Sequence, residues 1–142
     1  MKIKWLNRAI LYGGYICLAL GNKEAKAALK HCGEKDMYSP TQFGCLFTIN
    51  KEGKLCFIVC LNNIIGKDLI SVHGTIVHEV THVFQQTMKS INETNPGTEI
   101  EAYIMQCVSQ VLMDEFQERT VVKKNVVTKI IARHEKRHLK TK

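Results

Sequence analysis

Apolar and polar residues fall in blocks along this chain, and the spacing inside the blocks changes twice. An early apolar run, residues 9–20, is broken by Gly13-Gly14, which predicts a short helix followed by a strand over residues 15–20. An alanine- and lysine-rich stretch from Asn22 to about His31 predicts a surface helix, with Asn22 as its cap and a stop at Gly33. From Gly44 the pattern turns to strands. Residues 45–49 and 55–61 are β-rich, and the polar, glycine-bearing residues 50–54 between them read as a hairpin turn. The second run is apolar throughout, which suits a strand covered on both faces.

The period then becomes helical. Asp68 is placed to cap a helix over residues 69–90, with Ile76, Val80, Val83, Phe84, Met88 and Ile91 as its buried stripe. Gly74 inside that helix costs about 1 kcal/mol relative to alanine, which predicts a close approach of another element there. After a turn-like break at residues 92–97, a second helix presents Ile104, Cys107, Val108, Val111, Leu112 and Phe116 on one face, with Asp114 and Glu115 outside. The elements together predict an α+β fold with a small β-sheet.

That helix carries the candidate chemistry. His78-Glu79-Val80-Thr81-His82 is an H-E-x-x-H motif, and residues four apart on a helix lie one turn above each other. His78 and His82 therefore share a direction and can share one cation. Two imidazoles and one carboxylate suit Zn2+ and leave a fourth position for water, whose pKa the metal lowers to roughly 7. Glu79 beside them is the candidate general base, taking a proton from that water and passing it to a leaving amine. A second match, His134-Glu135-Lys136-Arg137-His138, sits among Arg133, Lys136, Arg137 and Lys140, which repel a dication, and reads as a decoy. His31-Cys32 has nothing nearby to complete a site and reads as a helix end.

The third ligand must come from elsewhere, and the next helix begins Thr98-Glu99-Ile100-Glu101-Ala102-Tyr103. If Thr98 caps this helix, Glu101 completes a capping box, and either glutamate is also favoured at a helix start by the macrodipole. A glutamate in a helix that follows H-E-x-x-H resembles the gluzincin class of metallopeptidases, and Glu99-Ile100-Glu101-Ala102 looks like its E-x-x-A segment. With Val83-Phe84-Gln85 and Pro96-Gly97, residues 78–106 also resemble a family of small, phage-encoded zincin-like proteins. The resemblance implies a minimal zincin-like domain, its small β-sheet packed on the helix of residues 69–90, and a zinc metallopeptidase that cuts a host or phage protein in the cytoplasm of a bacterial host. It aligns Glu99 with the ligand glutamate, gives His78, His82 and Glu99 to the metal and Glu79 to catalysis, and has an edge strand of the sheet hold the extended peptide. Several relatives place an aspartate four residues after the ligand to orient a zinc histidine; Tyr103 stands there in this chain. His73 is a further candidate to reach the cleft.

Composition adjusts this picture. At 142 residues and 45% hydrophobic content, the chain is long enough for one domain with its own core. Its formal charge of +7 is uneven: residues 119–142 hold nine Lys or Arg against Glu135 alone, while the preceding residues hold eleven against twelve acids. Residues 1–118 thus read as the metallopeptidase domain and residues 119–142 as a basic helix or tail. The tail offers a second reading, a zincin-shaped module that binds an acidic partner or nucleic acid, although it lacks the aromatic residues that base stacking wants. The six cysteines form no C-x-x-C pair and sit mostly in apolar runs, as reduced core residues of a cytosolic protein do. Residues 1–21 imitate an export signal, the minority alternative, under which the cysteines would pair. No apolar run reaches the roughly 20 residues a membrane span needs.

Overall fold

A computed structural model describes residues 4–6, 14–34 and 40–138, with side chains as far as Thr120. The elements run β1 (Tyr15–Leu20), α1 (Asn22–Cys32), β2 (Gly44–Lys51), β3 (Lys54–Leu61), α2 (Leu69–Ser90) and α3 (Thr98–His138). The three strands form one mixed sheet in the order β1-β3-β2, giving an α+β architecture. β3 lies in the middle, parallel to β1 and antiparallel to β2. Its uninterrupted apolar sequence is explained by that place, since Phe57 to Leu61 are all fully buried. The hairpin closes through Glu52 (φ 53°) and Gly53 (φ 76°), the left-handed pair that matches the strands' twist.

Strand alternation divides the core in two. Ile16, Leu18, Phe57, Val59 and Leu61 face α2 and α3, while Cys17, Ala19, Cys56, Ile58 and Cys60 face α1. α1 meets its face through Ala25, Ala28, Leu29 and Cys32. Small residues there let the helix lie close on the sheet. The second half of the early apolar run is β1, as predicted; the short helix expected before it falls on residues outside those described. Among the described residues no helix is long and apolar enough to cross a membrane, and the six cysteines are free.

Three expectations are corrected. Asn22 does not cap α1: Gly21, at φ 92°, holds the cap position, and Asn22 donates its amide to the Pro40 carbonyl at 3.4 Å instead. The stop at Gly33 is as predicted, left-handed at φ 96°. Ile91 leaves the buried stripe of α2 because the helix ends at Ser90, and it is exposed. Glu115 was expected outside yet is buried. Lys4 pairs with it, and Arg119, one turn further along α3, donates two hydrogen bonds to Glu24 of α1 and one to the Leu18 carbonyl of β1 at 3.0 Å. This ionic knot fastens α3 to the sheet and α1. α3 then continues as one helix past Arg119, with no break where the basic tail begins.

Candidate functional site

α2 is the element that assembles the motif. Asp68 caps it as predicted, accepting from the Ser71 backbone N–H at 2.8 Å and from the Ser71 hydroxyl at 2.6 Å, which holds the Asp68 carboxyl below its usual range. Val72, Ile76, Val80 and Val83 bury one side of the helix. His78 and His82 therefore stand on the open side, one turn apart. Their rings meet edge to face at 4.9 Å, with the two Nε2 atoms 3.3 Å apart. Zinc–nitrogen bonds of about 2.0–2.1 Å make the edge of a tetrahedral site about 3.3–3.4 Å, so this pair already has the spacing of two zinc ligands.

Glu79 occupies the seam between the open and buried sides. It is 5% exposed, and among the described residues no hydrogen bond reaches its carboxylate. Burial pushes its carboxyl above the usual value, against the opposing pull of His78 and His82. The close partner is Gly44, the first residue of β2. A Cβ at Gly44 would stand 2.7 Å from Glu79 Oε1 and closer still to Thr75 Cγ2. Only a residue without a side chain lets β2 seat against α2 here. Gly74, by contrast, has nothing within 4 Å of its would-be Cβ, so the close approach expected at Gly74 occurs at Gly44.

β2 and α2 enclose a cleft of about 1000 Å³. Gly44, Leu46 and Thr48 form one wall, and Gly74, Thr75, His78, Glu79 and His82 form the other. β2 is an edge strand, and the register decides which of its backbone groups remain free. The Asn62 N–H donates to the Phe43 carbonyl at 2.7 Å, so odd-numbered positions of β2 bond β3. The backbone N–H and C=O groups of Gly44, Leu46 and Thr48 point outward along the cleft, unpaired by any strand among the described residues. Lys67, its ammonium 5.3 Å above the Phe43 ring, closes one end. Buried Asn62 donates to the Gln42 carbonyl at 3.1 Å and fixes the chain entering β2.

The other expected residues stand apart. Glu99, Glu101 and Tyr103 are exposed on the first turns of α3. The Glu101 N–H bonds the Gly97 carbonyl, so Gly97 rather than Thr98 holds the cap position. Among the described residues no three His, Cys, Asp or Glu side chains are grouped closely enough to hold a metal. The structure thus brings together His78, His82 and Glu79 without a carboxylate from α3. His73 does not line the cleft, and its Nε2 is buried without a partner. The side chains of the second motif, and of the basic tail as a whole, lie outside the described residues. Sequence reasoning gave no part in the site to Gly44 or to Gln85, whose amide oxygen lies 3.2 Å from His82 Nδ1. A glycine opening a strand was the only signal for the first. No family model matches this chain, and no curated protein and no solved structure is detectably similar to it.

Proposed function

We propose that this chain is a zinc-dependent metallopeptidase of the gluzincin type, acting on an extended segment of a peptide or protein. The observation that carries the reading is the imidazole pair at tetrahedral spacing, set beside a buried carboxylate in a cleft walled by a free strand edge. Zinc, when bound, polarises the peptide carbonyl and makes water a stronger acid. The chain supplies the rest. His78 and His82, whose Nε2 atoms already face each other, would hold the metal, with Glu99 as the third ligand that the resemblance assigns. The outward backbone groups of Gly44, Leu46 and Thr48 hold the peptide as an added strand, which presents successive side chains to opposite faces. Glu79 takes the proton of the attacking water and delivers it to the leaving amine nitrogen. Its carboxylate, buried and without a hydrogen-bond partner among the described residues, is free to take that proton.

A second reading, a zincin-shaped module that binds without cutting, draws on the separation of Glu99 and Glu101 from the imidazoles. Metal content by mass spectrometry separates the two. Wild type, His78→Ala, Glu99→Ala and Glu101→Ala are purified without added zinc. The peptidase reading expects about one zinc per chain in wild type, its loss in His78→Ala, and its loss in one glutamate variant alone. A wild type that is metal-free and cannot be loaded removes it.

A further inference from the structure

The two imidazoles of the motif and one residue outside it form a short chain of contacts, whose geometry assigns a different tautomer to each ring. Gln85 follows His82 by three residues on the exposed side of α2, and its Oε1 lies 3.2 Å from His82 Nδ1. An amide oxygen only accepts, so His82 Nδ1 carries a proton and donates it. In a neutral imidazole that leaves Nε2 with the lone pair. That lone pair faces His78 Nε2 across 3.3 Å, so His78 donates there and carries its own proton on Nε2. The order along the helix is His78 Nε2–H to His82 Nε2, then His82 Nδ1–H to Gln85.

We propose that Gln85 is a positioning residue for cation capture. By accepting the Nδ1 proton it turns the His82 ring toward His78 and presents Nε2 as a ready donor. His82 is then the first ligand. His78 follows once solvent has carried its proton from Nε2 to Nδ1, which leaves the ring neutral and Nε2 with a lone pair. Gln85 takes the orienting role that the resemblance gives to an aspartate, at whose place Tyr103 stands 64% exposed on α3. Its neighbour Gln86 lines the cleft instead, so the two glutamines are not interchangeable. The capture role rests on the zinc reading above; the tautomer assignment does not.

The test uses the full chain, metal-free, with long-range proton–nitrogen NMR correlations of the histidine rings at about pH 8, above the ordinary imidazole range. Wild type should show His82 protonated on Nδ1 and His78 on Nε2. Gln85→Leu, which keeps the bulk and loses the acceptor, should move His82 toward the Nε2–H form. Gln85→Glu should keep Nδ1–H. In competition with a chromophoric chelator, Gln85→Leu should bind zinc about 10-fold or more weakly, and Gln85→Glu within a few-fold of wild type. A wild-type His82 in the Nε2–H form, a tautomer that ignores Gln85→Leu, or equal zinc affinity in wild type and Gln85→Leu overturns the proposal. A wild type that takes up no zinc at all overturns the capture role through the zinc reading; the tautomer shift then shows separately that Gln85 does hold the ring.

Discussion

Replacing Gly44 by alanine tests the seating of β2 on α2 more directly than any change to the motif itself. The added Cβ meets Thr75 Cγ2, and Glu79 Oε1 at 2.7 Å, inside the distance real Cβ atoms keep. Wedging a methyl into a packed contact costs about 1–3 kcal/mol. Against this, alanine loses less backbone freedom than glycine in a strand, a gain of roughly 0.5–1 kcal/mol. The φ of Gly44 is outside the left-handed region, so no backbone strain enters. The net expectation is a loss of about 1–2 kcal/mol, a melting temperature lower by roughly 3–8 °C for a domain of this size. Thr75→Ser removes Cγ2 and keeps the hydroxyl that bonds the Ser71 carbonyl at 3.0 Å. Thermal melts of the wild type, both single variants and the double variant should show Gly44→Ala costing measurably less in the serine background. If Gly44→Ala melts at the wild-type temperature, or the serine background gives no relief, β2 does not pack on Glu79 as described. The converse substitution sharpens the point: Gly74→Ala, with open space around it in mid-helix, should stabilise by about 1 kcal/mol.

Three other outcomes are expected. Because burial raises the Glu79 carboxyl, the native state keeps that proton longer than the unfolded chain as pH rises above 4.5; metal-free stability is therefore unaffected below the unfolded value and falls as pH climbs through the window. Glu79→Gln should remove that fall, melting higher than wild type at neutral pH and level with it near about pH 4, while any peptidase activity drops by about 10²–10⁴; a wild-type pH profile in the variant refutes the assignment. Arg119→Met strips the partner from Glu24 and one of the cations from buried Glu115, and should lower stability in urea by about 2–3 kcal/mol, with Arg119→Lys recovering part of it; a change below 0.5 kcal/mol, about what an exposed ion pair contributes, would mean the knot is solvated. Cys17 and Cys32, buried and pushed up to about 12, and Cys45, pushed up by its contact with Cys60 and by burial, should stay unreactive to a thiol reagent until unfolding, whereas half-buried Cys107 reacts in the native protein; a single common rate for all six thiols contradicts this.

What could be read from the chain alone was whatever depends on neighbours in sequence. The hairpin followed from the glycine-bearing turn at residues 50–54, and the bounds of α2 from Asp68 and the apolar stripe. That β3 is covered on both faces followed from its unbroken apolar run, because such a strand has no polar side to show; its central place in the sheet did not. The facing of His78 and His82 followed from a spacing of four. Contacts between distant segments left no such trace. Glu115 looked exposed because its counter-charges come from Lys4, at the other end of the chain, and from Arg119, which reads by sequence as the start of a basic tail. Gly74 looked like the point of close approach because it breaks a helix pattern, but a glycine's own sequence does not say what lies opposite it. Only the tertiary structure placed Gly44 against Glu79, turned the free edge of β2 along the imidazole pair, and left Glu99 and Glu101 outside it. Helical and strand periods are fixed by covalent geometry within a few residues, whereas burial of a charge or closeness of a backbone is fixed by whichever remote element the core brings there.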